Sequence, residues 1–105
     1  MHFTKMQALG NDFIIIDLFR EKLPNPREAA PIMCDRHFGI GADGLIMVGP
    51  SIQCDFSMRV INSDGSEAEM CGNGIRCLAR YVVERGYAKG PEFVTESLRG
   101  PHAQK

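Results

Sequence analysis

Residues 71–86 read CGNGIRCLARYVVERG, the clearest amphipathic pattern in the chain. Gly86 follows the apolar positions as a C-terminal cap, since glycine readily adopts the left-handed conformation that ends a helix. We therefore predict a helix over residues 73–85 that buries one face. The apolar residues of that face recur at i, i+3, i+4, i+7 and i+8, and they are Ile75, Leu78, Ala79, Val82 and Val83.

A hairpin is predicted at the start of the chain. Residues 3–6 and 13–18 are strand-like, and the segment between them contains Gly10 and Asn11. Both residue types tolerate the positive φ that a tight turn requires, so the two strands are expected to pair antiparallel.

Further strands are predicted downstream. Residues 56–60 alternate between apolar and polar side chains, as a half-buried strand does, and residues 62–65 end it with turn chemistry. Residues 45–48 and 92–95 are also strand-like, whereas no element is predicted from residue 100 onward. The strands together with two helices indicate an α+β lobe whose curved antiparallel sheet wraps around the helix at 73–85.

The first helix is predicted to begin at Asn25. Asn25 is a capping residue, Pro26 suits the first turn, and Glu28 stands three positions after the cap. Because Pro31 lacks a backbone donor, we expect an interruption there, with the helix ending near His37.

Residues 39–44, GIGADG, match the G-x-G-x-x-G pattern of dinucleotide-binding proteins. That fingerprint must follow a strand and open a helix, but here it follows a helix and precedes a strand. Nucleotide binding is therefore not predicted.

Composition excludes several classes of function. The chain has 105 residues, 44% of them hydrophobic, with 12 basic and 13 acidic residues and a net charge of -1. This size suits one domain or part of one. Balanced charge argues against nucleic-acid binding, and the longest apolar run, residues 13–16, is far too short for a membrane helix. The N-terminus has no signal-peptide pattern, so we expect a cytoplasmic protein.

Cys71 is the most suggestive of the four cysteines, because it immediately precedes the predicted helix. Backbone N–H groups and the helix dipole favour a thiolate there, and the same groups can hold a carboxylate. The alternative, a small buried residue beside glycines that only turn the chain, carries equal weight. Cys34, Cys54 and Cys77 are expected to be structural, and the spacing of the cysteines does not suit a metal site.

The carboxylates near the turn at residues 62–65 are not predicted to act in chemistry. Asp64, Glu67 and Glu69 cluster there, and carboxylates beside a turn are usually solvated.

Four motifs together resemble diaminopimelate epimerase. They are residues 3–13 (FTKMQALGNDF), 35–44 (DRHFGIGADG), 62–67 (NSDGSE) and 71–77 (CGNGIRC). The resemblance implies one lobe of the epimerase fold over residues 1–100, followed by a truncated or divergent tail at 101–105. It also implies a cofactor-independent isomerase that interconverts LL- and meso-diaminopimelate for lysine and peptidoglycan synthesis.

The same resemblance implies roles for particular residues. Cys71 corresponds to one of two catalytic thiols, and Asn11 and Asn62 correspond to residues that contact the substrate. Gly72 and Asn73 correspond to the backbone that holds the α-carboxylate, and no metal is implied. Gly44 stands where some members have a substrate-contacting glutamine, so position 44 is not included in the site.

The second thiol of the family comes from a C-terminal lobe, whose Cys-Gly-Ser/Thr-Gly motif does not occur in this chain. We therefore expect this chain to need that lobe, in cis or in trans, for full activity on its small-molecule substrate. A homodimer that brings two copies of Cys71 together is a less favoured route. The alternative function is a catalytically inactive remnant or binding module of the same fold.

Overall fold

Seven strands and two helices make up the part of the chain that the structure describes. The structure is a computed structural model, and it describes residues 3–8, 10–51, 55–68, 72–87, 93–97 and 100–104. The elements in chain order are β1 (Thr4–Ala8), β2 (Asn11–Asp17), α1 (Pro26–Met33), β3 (Gly44–Gly49), β4 (Phe56–Asn62), β5 (Glu67–Ala68), α2 (Gly72–Glu84), β6 (Phe93–Ser97) and β7 (Gly100–Gln104).

All the described strands belong to one mixed sheet, in the order β1-β2-β3-β4-β6-β7, with β5 paired to β4. The predicted α+β class is confirmed. The expectation of a wholly antiparallel sheet is wrong, since β2 pairs with β3 and β4 pairs with β6 in parallel. Each parallel pair is separated in sequence by a helix, because a parallel neighbour can be reached only by a crossover long enough to return to the same end of the sheet.

The two helices cover opposite faces of the sheet. Side chains of a strand alternate between faces, so Phe13 and Ile15 pack towards α2, while Ile14 and Ile16 pack in the cluster that contains Ala30 of α1. Burial on both faces explains the unbroken apolar runs of β2 and β3. The helix expected at the centre of the lobe therefore lies on one face only, and α1 covers the other.

The predicted N-terminal hairpin is confirmed. β1 and β2 pair antiparallel, and Ala8 pairs with Asn11, so only two residues link the strands. Gly10 has φ 89°, a conformation that glycine adopts without steric cost.

α1 begins as predicted, with Asn25 at its N-cap and Pro26 in its first turn, although the Asn25 side chain makes no capping hydrogen bond. The helix continues through Pro31 and ends at Met33. The predicted interruption is wrong, because the fully buried Ala30 holds this turn of the helix in the core despite the lost hydrogen bond. The predicted end near His37 is also wrong. One carboxylate oxygen of Asp35 accepts hydrogen bonds from the backbone N–H groups of His37 and Phe38 and turns the chain away.

α2 confirms the predicted helix and its cap. The N–H of Gly86 donates to the carbonyl of Val83, and the N–H of Tyr87 donates to that of Val82, the two bonds of a Schellman motif. Val83 was predicted to be buried, but it is 40% exposed. Tyr81 is buried instead, and its hydroxyl group is bonded to Asp17 at the end of β2.

The second half of the sheet contains two strands that the sequence did not predict. β4 alternates as expected, but β5 pairs Ala68 with Val60 after the turn. The expectation of no element from residue 100 is wrong, since β7 pairs with β6 from Gly100 to Gln104. Both strands are short and their sequences show no apolar alternation, so the sequence pattern does not indicate them.

The glycine-rich residues 39–44 link the end of α1 to the start of β3, which is the context that argued against nucleotide binding. Within the described ranges, no helix is both long enough and apolar enough to cross a membrane.

Candidate functional site

Asn11 and Asn62 lie at the same end of the sheet. β2 begins at Asn11, β4 ends at Asn62, and β3 runs between them. The first residue of β3, Gly44, pairs with Phe13 on one side and with Asn62 on the other. Alternate strands of a sheet lie about 10 Å apart, and Asn11 lies two residues before Phe13, the partner of Gly44. The two asparagines are therefore separated by the start of β3, and we call this separation the gap.

Gly44, the first residue of β3, lies close to the backbone of β4 in this structure. A Cβ atom at this position would lie 2.9 Å from the carbonyl oxygen of Ile61. Because Gly44 has no side chain, β3 contributes only backbone at this position of the gap between Asn11 and Asn62.

Gly72 and Asn73 form the beginning of α2, whereas Cys71 lies outside the described residues. The first N–H groups of a helix have no partner within it, and the dipole there favours anions. The first turn of α2 can therefore bind a carboxylate through its backbone.

The direction of α2 follows from its far end. The hydroxyl groups of Tyr81 and Tyr87 both donate to Oδ2 of Asp17, the last residue of β2. α2 also packs against β1, β2 and β3. We infer that the first turn of α2 points towards the opposite end of the sheet, where Asn11 begins β2.

The turn after β4 fixes the side chain of Asn62. Its amide nitrogen donates to Oγ of Ser66 at 3.0 Å, and that hydroxyl donates to Asp64 at 2.6 Å. Its backbone N–H donates to the carbonyl of Ser66 at 2.7 Å. The bond to Ser66 Oγ uses the amide nitrogen, so the carboxamide oxygen of Asn62 is the group that can accept a hydrogen bond from a ligand.

A charged network lies beside Asn11. The guanidinium of Arg36 donates two hydrogen bonds to Asp12, at 2.8 and 3.2 Å, and one to Asp43 at 3.3 Å. Nζ of Lys5 lies 3.3 Å from Oδ2 of Asp12. The hydrogen bond from Arg36 is the main cause that holds the pKa of Asp12 well below its usual range, and the side chains of Asp43 and Lys5 lower this pKa further, despite some burial. Asp12 is therefore a fixed anion and not a proton carrier.

Sequence reasoning assigned no role to Arg36 or Asp43. Both occur in the motif at residues 35–44, but one sequence cannot show that Arg36 reaches Asp12, which lies 24 positions away. The only signal was the presence of charged residues in an otherwise glycine-rich segment.

Glu67 was expected to be solvated, and that expectation is wrong. Arg59 donates two hydrogen bonds to it, at 2.6 and 3.0 Å, and the Glu67 side chain is only 12% exposed. The arginine lowers the pKa of Glu67. Asp64 is exposed, whereas Glu69 lies outside the described residues.

Two of the other cysteines are buried, as predicted for structural residues. Cys34 is 3% exposed and Cys77 is 2% exposed, and burial raises the pKa of the Cys34 thiol. Cys54 lies outside the described residues. Among the residues that the structure describes, no group of three histidine, cysteine or carboxylate side chains is arranged to hold a metal ion.

Comparison with known sequences identifies a family. Residues 3–103 match the profile of the family described as diaminopimelate epimerase. The diaminopimelate epimerase of Pelotomaculum thermopropionicum is 57% identical over 103 residues, and that of Methanococcus maripaludis strain S2 is 50% identical over 100. Each alignment covers 95% of this chain but 36% of the relative. The chain thus spans about a third of the length of these relatives.

Comparison with solved structures shows the same fold. A phenazine biosynthesis protein of the PhzF family from Bacillus anthracis superposes with a TM-score of 0.71 at 20% identity, covering 97% of this chain and 33% of that protein. A PhzF-family protein from Enterococcus faecalis has a TM-score of 0.64 at 18% identity. At these identities, the likeness concerns the fold alone.

Proposed function

This chain belongs to the diaminopimelate epimerase family, and we propose that it provides one side of an active site that interconverts LL- and meso-diaminopimelate. The observation that carries the proposal is that Asn11 and Asn62 lie at the same end of the sheet, on the two strands that flank β3. The enzyme is an isomerase that acts without a cofactor or metal.

The proposed reaction is a proton exchange between two faces of one carbon atom. Inversion requires a base that removes the α-proton from one face and an acid that delivers a proton to the other. In our proposal the thiolate of Cys71 removes the proton, the electron pair stays on the substrate as a carbanion, and a second thiol protonates it from the opposite side. The reverse direction exchanges the two roles.

Cys71 suits the role of base because it immediately precedes α2. A helix N-terminus lowers the pKa of a thiol and raises the fraction of thiolate near neutral pH. Cys77 is a poor candidate for the second thiol, because its side chain is packed in the core beside Leu78 and Tyr81. As the family resemblance implies, we assign the second thiol to the part of the family's sequence that this chain does not cover.

Substrate binding would use backbone and amide groups. The N–H groups of Gly72 and Asn73 would hold the α-carboxylate, which helix N-termini bind well. The carboxamide oxygen of Asn62 would accept a hydrogen bond from the substrate ammonium group, and Asn11 would contact the substrate from the other side of the gap.

The partner of this chain is then the remaining part of the family's sequence, joined to it or supplied separately. Since the relatives are almost three times as long as the matched segment, the residues that complete the site come from that remainder. A homodimer is the less favoured route, because the substrate is not symmetric about its reacting carbon. A cytoplasmic location remains a prediction.

Complementation tests this proposal directly. The 105-residue chain would be mixed with the remaining two thirds of the Pelotomaculum relative, and LL-to-meso conversion and α-proton exchange in deuterated water would be measured. We expect turnover from the mixture and essentially none from either part alone. In the mixture, Cys71→Ala should abolish turnover, whereas the control Cys77→Ala should retain it at temperatures where the protein stays folded.

The other outcomes are decisive. Turnover by the isolated chain would show that no other lobe is needed, and sedimentation would then reveal whether a homodimer forms the site. A mixture that binds diaminopimelate without exchanging its α-proton would support the alternative of an inactive binding module.

A further inference from the structure

We propose that Arg36 and Asp43 are positioning residues that set the separation and orientation of Asn11 and Asn62 across the gap at the end of the sheet. The proposal concerns the same site and so rests on the proposed function for its meaning, but the geometry that it describes can be tested in the free chain. Neither residue is proposed to touch the substrate.

Asp43 is the first link, because its backbone joins both sides of the gap. Its N–H donates to the carbonyl of Asp12 at 2.9 Å, and its carbonyl accepts from the N–H of Ser63 at 3.2 Å. Asp12 adjoins Asn11, and Ser63 adjoins Asn62. The backbone pairing of β3 with its two neighbours is thereby extended past Gly44, at the place where a sheet usually frays.

The side chain of Asp43 adds a second link to Asp12. Its Oδ2 accepts the N–H of Asp12 at 2.9 Å, so the two residues are bonded reciprocally. Gly44 has no side chain that could support its neighbours, and a Cβ atom there would collide with Ile61. Support from this strand must therefore come from the residue just before it, which is Asp43.

Arg36 is the third link, because it spans both carboxylates. Its guanidinium binds Asp12 in a two-pronged arrangement and also reaches Asp43. An isolated ion pair at this exposure would contribute little, but a two-pronged arginine fixes orientation as well as distance. It also neutralises repulsion between two aspartates that lie close together.

The network connects segments that are far apart in sequence, and it ends at Asp12 and Ser63, the neighbours of the two predicted substrate contacts. The comparable pair Arg59–Glu67 joins adjacent strands away from Asn11, and the pair Arg80–Glu84 lies within α2. Loss of either of those pairs is not expected to move Asn11, so Arg80→Gln is a matched control for loss of an arginine.

The first experiment uses the free chain and needs no ligand. Side-chain amide signals of Asn11 and Asn62 would be followed by NMR in Arg36→Gln, Asp43→Ala and Asp43→Asn variants. We expect both amide signals to shift or broaden in Arg36→Gln and Asp43→Ala, and to recover partly in Asp43→Asn, which keeps an acceptor oxygen for Asp12. Arg80→Gln should leave both signals unchanged.

Signals of Tyr81 and Tyr87, at the other end of the sheet, separate positioning from general loss of structure. They should stay in place in every variant. Unchanged signals of Asn11 and Asn62 in Arg36→Gln and Asp43→Ala would overturn the inference, and so would equal changes at the two tyrosines.

The second experiment uses the complemented enzyme. Asp43→Ala should raise KM for diaminopimelate about tenfold while kcat changes by less than about threefold, as expected when binding groups are displaced but the thiols are untouched. A loss of about tenfold in kcat with an unchanged KM would contradict the proposal that Asp43 is a positioning residue. If the unmodified mixture has no turnover, the proposed function fails, while the NMR result still decides the role of Arg36 and Asp43.

Discussion

The hydroxyl group of Tyr81 donates a 2.9 Å hydrogen bond to the carboxylate of Asp17, which lies 64 positions earlier in the chain. Asp17 is only 5% exposed, and it also accepts hydrogen bonds from the hydroxyl of Tyr87 and the backbone N–H of Phe19. A buried carboxylate needs such donors, because leaving it unpaired is costly. This contact ties the C-terminal half of α2 to the end of β2 that lies away from the candidate site.

Tyr81→Phe should therefore lower the free energy of unfolding by about 2 kcal/mol, since it removes one donor from a buried carboxylate. Tyr87→Phe is the matched variant at a less buried position and should cost less. Urea denaturation followed by circular dichroism measures both. Equal stability of Tyr81→Phe and the unmodified chain would contradict a structural role for this bond.

The same contact predicts a loss of stability in alkali. Burial, together with the hydrogen bond to Asp17, raises the pKa of Tyr81 above its usual value of 10.0. The folded state thus holds this proton more tightly than the unfolded state, so stability is intact below about pH 10 and falls as pH rises through the raised pKa. Tyr81→Phe should show a smaller decline between about pH 9 and pH 11 when unfolding is measured across that range.

Arg36→Gln should change the dependence of stability on acid. Because Arg36 depresses the pKa of Asp12, the folded state holds a proton there less tightly than the unfolded state. The stabilisation is present above the usual value of 3.8 and is lost as pH falls through the depressed pKa. Denaturation from pH 7 downward should show the unmodified chain and Arg36→Gln converging below about pH 4. A constant difference between them at every pH would argue against this cause, and Arg80→Gln serves as the control.

Gly65→Ala should be more destabilising than Gly10→Ala. Both glycines have positive φ, 93° and 89°, so both substitutions carry a backbone cost of about 1 kcal/mol. A Cβ atom at Gly65 would also lie 2.7 Å from the carbonyl oxygen of Arg27, whereas nothing lies within 4 Å at Gly10. Thermal unfolding should show a clearly lower Tm for Gly65→Ala. Similar Tm values for the two variants would show that the turn moves away from α1 at little cost.

Two apolar positions of α2 should respond differently to truncation. Leu78 is fully buried, so Leu78→Ala should cost about 2–5 kcal/mol through lost burial and the cavity that it leaves. Val83 is 40% exposed, so Val83→Ala should change stability by no more than about 0.5 kcal/mol. Chemical denaturation of the two variants measures the difference. A large cost at Val83 would indicate that this face is covered in solution.

Much of the fold was predictable because local rules and tertiary packing agree. The hairpin at Gly10, the start of α1 at Pro26 and the cap at Gly86 each follow from the conformation that one residue type prefers. β5 and β7 were not predictable in this way, since they are defined by pairing with β4 and β6. Pro31 was misjudged because the packing of Ala30 outweighs one missing hydrogen bond.

The residues of the candidate site also fall into two groups, those that local motifs indicate and those whose role depends on tertiary contacts. Asn11, Asn62, Gly72 and Asn73 could be named from the resemblance of their motifs, and all four lie in the described part of the chain, while Cys71 does not. Arg36 and Asp43 could not be assigned a role, because their partners are distant in sequence.

The sequence by itself determined where the chain turns, where its helices begin, and which motifs it shares with diaminopimelate epimerases. These properties depend on backbone preference and on the identity of neighbouring residues. Only the tertiary structure decided that the sheet is mixed, that Tyr81 rather than Val83 faces the core, and that Asp43 bridges Asp12 and Ser63. The reason is physical, since such contacts form only after two helical crossovers have brought strands that are distant in sequence side by side.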